Sequence, residues 1–198
     1  WLSVGKMVIY PIGKHVEADG LQLINWVAEI QSPRNVIQDW NLGGKLEDFL
    51  PTYADWHFDW LDVPEMIRNA EQILEYPMVD RDPLPQWTFG RVTLMGDAAH
   101  PMRPYLAQGA GMAIEDAQVL AQVLTSDPAM VGHALRRYAR LRHERVARVQ
   151  RKALENGEIF HATGLKRWGR DIAMQLLGSR LLDQPWLYGE RLVGHAAQ

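Results

Sequence analysis

Cysteine is absent from the 198 residues. That removes a disulfide framework, a thiolate nucleophile and cysteine-based zinc or iron–sulfur centres, and it leans the reading towards a cytoplasmic protein. No apolar run approaches the ~20 residues needed to cross a bilayer, and no basic-then-apolar leader opens the chain, so no membrane partner is expected. The histidines, at positions 15, 57, 100, 133, 143, 161 and 195, lack the spacing of a metal site, and no metal is expected. A Gly-x-Ser-x-Gly elbow is missing, which argues against the common hydrolases. Also missing is any strand–Gly-x-Gly-x-x-Gly–helix unit for a dinucleotide pyrophosphate, since Gly109-Ala110-Gly111 has no third glycine at the required spacing. What is present is ordinary globular composition, 47 % hydrophobic and 23 % charged, in a chain long enough to bury a core.

The net charge of −3 is uneven: residues 1–99 carry −8 and residues 100–198 carry +5. The positive excess gathers in Arg136, Arg137, Arg140, Arg142, Arg145, Arg148, Arg151 and Lys152. No nucleic-acid motif accompanies this run, so nucleic acid is not expected as a partner. The expected arrangement is a solvated helix whose arginines pair with the acidic first half or with a segment outside the chain.

The pattern predicts strands first and helices later. Met7–Ile12 and Leu21–Ala28 read as a hairpin around a polar loop that ends in Asp19-Gly20. Short helices are expected at Leu46–Ala54, broken by Pro51, and from Val63 to Ala70, followed by a strand at Gln72–Met78. The aromatic cluster Trp56-His57-Phe58-Asp59-Trp60-Leu61 is expected in packing rather than in a pocket, and Asp80, Arg81 and Asp82 as structural ion pairs. Arg91–Met95 reads as a buried strand. From Gly109 the spacing is helical, with Ala113, Ala117, Leu120, Ala121 and Leu124 sharing one apolar face. Ser126-Asp127-Pro128 opens a long helix expected to stop near Asn156-Gly157, and another covers Leu165–Leu177, ended by Gly178.

The chemistry lies between Arg91 and Ala117. An apolar strand ends in Gly96, where the backbone can come close to a ligand, and Asp97 follows, placed to accept hydrogen bonds from hydroxyls. A proline-stiffened loop through His100 and Pro104 then enters a helix at Gly109-Ala110-Gly111, whose free N–H groups form a site for negative charge. A polyol-linked cofactor that becomes anionic on reduction would use both features.

This stretch resembles the second FAD fingerprint of the single-component flavin-dependent aromatic hydroxylases, the family of p-hydroxybenzoate and salicylate hydroxylases. The matching residues are Gly96-Asp97-Ala98-Ala99-His100, Pro104, Gly109 and Ala113-Ile114-Glu115-Asp116-Ala117. Tyr76–Pro85 with Trp87, together with Tyr10-Pro11-Ile12 and Asn25-Trp26-Val27, is similar to the phenazine-modifying branch, and Tyr138, Arg142 and Arg145 fit the family's next helix. The resemblance implies that Asp97 binds the ribityl hydroxyls of FAD and that Gly96 admits the cofactor. It places the N–H groups of Gly109, Ala110, Gly111 and Met112 on the pyrimidine end of the flavin, to stabilise its reduced anion. Pro104 would lie between flavin and substrate with its carbonyl lining the reaction space. His100 would hold the loop, with an acid–base role as the lesser option.

The implied activity is that of an FAD-dependent, NAD(P)H-using monooxygenase, which hydroxylates a small aromatic or heteroaromatic substrate with O2 through a flavin C4a-hydroperoxide. A related flavoprotein oxidoreductase or epoxidase and a non-catalytic binding remnant are the alternatives. The implied fold class is α/β, or α+β within this chain. Residues 1–86 would form the sheet and connecting helices of a substrate domain, residues 87–157 the end of a Rossmann-type FAD domain, and residues 158–198 a helical tail. One departure stands out: the family carries glycine at one of the positions held by Leu106 and Ala107. With its first fingerprint missing and Trp1 leading straight into a strand, the chain reads as the C-terminal half of such an enzyme, without its N-terminal half.

Overall fold

A computed structural model describes residues 5–13, 20–30, 39, 41–124, 127–181 and 183–189. It is mixed helix and sheet, in two compact units. One unit comprises residues up to Pro77 together with Phe160–Thr163. The other comprises Met78–Ile159 and the residues from Gly164 onwards.

In the first unit, β1 (Gly5–Pro11) and β2 (Ile24–Ile30) form an antiparallel ribbon in which Gly5 faces Ile30 and Pro11 faces Ile24. The hairpin is as expected, with β2 displaced towards its C-terminal end. The inner face of the ribbon carries Met7, Trp26, Ala28 and Ile30 against a core of Tyr53, Val63 and Ile67. Tyr53 anchors this core, because its hydroxyl donates to the carbonyls of Lys6 at 3.0 Å and Glu29 at 2.6 Å. The outer face exposes Val8, Tyr10, Ile12, Leu21, Leu23 and Val27. It is covered at one end, where Phe160 lies 4.7 Å from the Lys6 ammonium and His161 pairs with Glu29 at 2.8 Å.

The short helices appear as α1 (Leu46–Phe49), followed by a 3-10 turn through Pro51, and α2 (Val63–Arg68). The Asp62 side chain caps α2 by accepting the Glu65 N–H at 2.8 Å. Between them, β3 (His57–Phe58) and β4 (Leu61–Asp62) make a tight hairpin. The aromatic cluster divides: Trp56 packs edge-on against Tyr53, whereas Phe58 and Trp60 stack on each other in the open. Gln72–Met78 is not a strand. Its backbone makes two cross-bonds, Gly44 N–H to the Ile73 carbonyl and Glu75 N–H to the Leu42 carbonyl, and the described residues offer no longer partner. Residues 14–19 of the hairpin loop and Ser126 of the expected helix start lie outside the described residues.

The second unit corrects the strand expected at Arg91–Met95. What forms is a two-residue hairpin, β5 (Thr88–Phe89) against β6 (Val92–Thr93), with Val92 64 % exposed. Local turn chemistry decides this. Gly90 takes φ +62°, closing a tight turn, and the Thr88 and Thr93 hydroxyls bond across the pair at 2.9 Å. No parallel pairing occurs among the described residues. The helices are α3 (Gly109–Val123), α4 (Val131–Phe160), α5 (Gly164–Leu177) and α6 (Pro185–Tyr188). Trp87, Ala99, Met112, Val119, Tyr138, Val146, Val149 and Leu187 build the core between them. The buried face of α3 is Met112, Asp116 and Val119, not the alanine row, because an aspartate occupies an inner position. Gly178, at φ +53°, ends α5 as expected. No described helix is long and apolar enough to cross a membrane.

Candidate cofactor-binding site

The site is a 3-10 turn (Gly96–Ala98), a loop and a helix start held together from behind. Gly96 has φ +57°, a conformation natural to glycine, and a Cβ there would lie 3.4 Å from Ala113 on α3. The glycine's left-handed backbone opens a 3-10 turn, Gly96–Ala98, on which Asp97 faces outwards. Asp97 is exposed and has no protein partner among the described residues. Gln108 offers no side-chain cap to α3, and neither Gly109 nor Gly111 has a side chain to shield the backbone. The N–H groups of Gly109, Ala110 and Gly111 therefore remain without helical partners, at the positive end of a 15-residue dipole.

Met112 does not join them. Its N–H donates to the Gln108 carbonyl at 2.8 Å and its side chain is fully buried, so the expected set of four N–H groups is three. Pro104 opens a 3-10 turn, Pro104–Leu106, and is exposed; its carbonyl already accepts the Ala107 N–H at 3.1 Å, leaving one lone pair for a ligand. Ala107 has φ +52°, the one positive φ among the described non-glycine residues, and so marks which of the two positions wants glycine.

Behind the loop lies a buried charge network. Asp116 is fully buried and receives three donors from three segments. Its Oδ2 accepts the Gly96 N–H at 3.2 Å and His100 Nε2 at 2.6 Å, and its Oδ1 accepts Arg142 Nε at 2.7 Å. Arg142 Nη1 pairs with Glu115 at 2.7 Å, and Arg145 grips the same carboxylate with two bonds of 2.8 Å while also reaching the Leu187 carbonyl. Burial alone would push both carboxyls up, but the surrounding donors outweigh it. His100, Arg142 and the Gly96 N–H hold Asp116 below its usual range, and Arg145 and Arg142 do the same for Glu115.

Three sequence expectations bear on these residues and their neighbours. His100 is buried behind the loop, and its Nε2 is bonded to Asp116, a carboxylate sixteen residues away. Arg142 and Arg145 pair with α3, not with the acidic first half. Asp80 forms an ion pair with Arg103 at 2.7 Å, the structural pairing anticipated for that stretch. The spacing did not mark Asp116 as an inner residue of α3; the fold buries it there, where a carboxylate demands partners.

Residues 70–153 match the family model described as an FAD binding domain. The chain is 41 % identical over 191 residues to 3-amino-4-hydroxybenzoate 2-monooxygenase PtnB3 of Streptomyces platensis, covering 96 % of this chain and 46 % of the relative. The chain is a relative of the FAD-dependent aromatic hydroxylases. Phenazine 1,6-dicarboxylic acid hydroxylase PhzS of Lysobacter antibioticus, another of these hydroxylases, is 48 % identical over 143 residues, covering 69 % of this chain and 34 % of that protein. A solved salicylate hydroxylase substrate complex matches with a TM-score of 0.67 at 25 % identity, covering 95 % of this chain and 45 % of that one. The chain thus spans less than half the length of each of these hydroxylases.

Proposed function

We propose that this chain is the C-terminal part of an FAD-dependent, NAD(P)H-using monooxygenase that hydroxylates a small aromatic or heteroaromatic ring. The observation that carries the reading is an outward Asp97, without a partner among the described residues, together with three uncapped N–H groups at the start of α3, the same helix whose buried Asp116 accepts the N–H of Gly96 beside Asp97. A carboxylate for hydroxyls and a helix start for negative charge are what a flavin's ribityl chain and reduced ring require. The match of residues 70–153 supports FAD, and the relatives named for hydroxylating aminohydroxybenzoate and phenazine dicarboxylate support an aromatic acid as substrate.

In this reading Asp97 binds ribityl hydroxyls, and Gly96 clears the way for them. The N–H groups of Gly109, Ala110 and Gly111 stabilise charge on the flavin. Pro104 borders the ring's reaction face, while His100 stays behind the loop. Flavin, when bound, would take electrons from the nicotinamide coenzyme and activate O2 for transfer of one oxygen atom to the substrate. Residues 1–86 would contribute the substrate-domain sheet, residues 87–157 the end of the FAD domain and residues 158–198 a tail. The pyrophosphate cradle would come from an N-terminal half.

The test is FAD titration of the complete protein by fluorescence. Asp97→Ala should raise the Kd at least about tenfold, the equivalent of about 1.4 kcal/mol, with the fold intact. An unchanged Kd would overturn the assignment. Product analysis of coenzyme-driven turnover on benzoate and phenazine acids then separates hydroxylation from plain oxidation.

A further inference from the structure

We infer that Gln150, Asn156 and Gly157 of α4 are positioning residues that set the turn carrying Pro104. The turn is pinned from one helix at both ends. Gln150, 3 % exposed, donates its side-chain N–H groups to the carbonyls of Pro101 and Arg81, each at 3.2 Å. Asn156 Nδ2 donates to the Tyr105 carbonyl at 3.3 Å. Pro101 and Tyr105 flank Pro104, so two amides fix the backbone on either side of it.

Gly157 supplies the third restraint. Seven residues beyond Gln150, it lies on the same helical face, and a Cβ there would come within 2.5 Å of Tyr105 Cε2 and 2.8 Å of Cδ2. The Tyr105 ring is buried, so it has no room to yield without moving the backbone next to Pro104. Gln150 also ties in the segment at Arg81, whose neighbour Asp80 pairs with Arg103, the residue before Pro104. The sequence made Asn156-Gly157 look like a helix stop, yet α4 runs on to Phe160. Glycine is kept inside the helix because Tyr105 occupies the space a side chain would fill.

This role rests on the cofactor reading of the loop, and the experiment separates the two. Gln150→Leu, Asn156→Ala and Gly157→Ala are made in the complete protein, with Gly157→Ala/Tyr105→Ala as the compensating pair. Amide hydrogen exchange reads the turn directly: residues 101–107 should exchange at least tenfold faster in Gln150→Leu and Asn156→Ala, while α3 keeps its protection. In FAD-loaded protein the Kd for FAD should stay within about threefold. The substrate-induced change in the flavin spectrum should be altered, and the share of reducing equivalents lost as hydrogen peroxide should rise severalfold. The double variant should recover part of the coupling lost in Gly157→Ala. Unchanged exchange in the turn would overturn the clamp. Fully coupled turnover in folded variants would overturn its functional role alone, and a wild-type protein that takes up no FAD would overturn the cofactor reading and the role that depends on it.

Discussion

Ala107 carries a strain that one hydrogen atom would relieve. At φ +52° its Cβ crowds the backbone, a conformation that costs an L-residue about 1–2 kcal/mol and glycine almost nothing. Ala107→Gly should therefore raise stability by up to about 1 kcal/mol, part of the gain being offset by the entropy of the unfolded glycine. Thermal denaturation reads it directly, and a lower melting temperature would contradict the strain. The pair Leu106-Ala107 was suspect from sequence alone, but only the backbone tells which residue turns left-handed. Gly96 was legible as the residue at which the backbone turns, a local feature that its φ of +57° bears out. Asp116 was not, because its three donors come from Gly96, His100 and Arg142, and no local pattern announces bonds that span 16 to 26 residues.

At the level of elements, α3 and α4 are joined by opposite charges inside a core. Removing one member of a buried pair leaves the other uncompensated, so Arg142→Met should cost about 3–5 kcal/mol even though methionine suits the volume. The same network fixes the acid response. Glu115 and Asp116 titrate below their ordinary values, so the stability they contribute is present in full above those values and is lost as pH falls through the lower folded ones. Melting temperature should hold from about pH 7 to about pH 5 as far as these groups are concerned, then fall below about pH 4. The Arg142→Met variant should melt lower throughout and lose less on acidification. A parallel fall in both proteins would separate the acid limb from this network. The helices themselves were legible from spacing but not all their ends: α4 starts at Val131, after the Ser126-Asp127-Pro128 signal, and runs past Asn156-Gly157 to Phe160. The inner faces of the helices were less legible, since α3 buries an acid and α4 buries Arg142 and Gln150, residue types that patterning assigns to solvent.

For the molecule as a whole, the ribbon of β1 and β2 is the telling part. Two strands make a sheet of marginal stability, and this one shows apolar side chains on both faces. The inner face has its core; the outer row of Val8, Tyr10, Ile12, Leu21, Leu23 and Val27 is open along most of its length. Contiguous apolar surface of this kind promotes association. The 198-residue chain should therefore self-associate in solution, and Val8→Lys/Val27→Lys should shift it towards monomer in light scattering. No shift would mean that the row is covered in solution. The hairpin was legible because strand and turn chemistry are local. The strand expected at Arg91–Met95 was not, since an apolar run alone does not say which neighbours it will have.

The missing side chain at position 157 carries a thermal consequence. Glycine within a helix lowers its local stability by about 1 kcal/mol relative to alanine, and here it does so within the last turn of α4. Fraying that reaches back to Gly157 would remove the seat of Tyr105 while the core of the unit is still folded. Order in the Pro104 turn should then be lost in a pre-transition, and the working temperature of the protein should have its ceiling below the melting temperature.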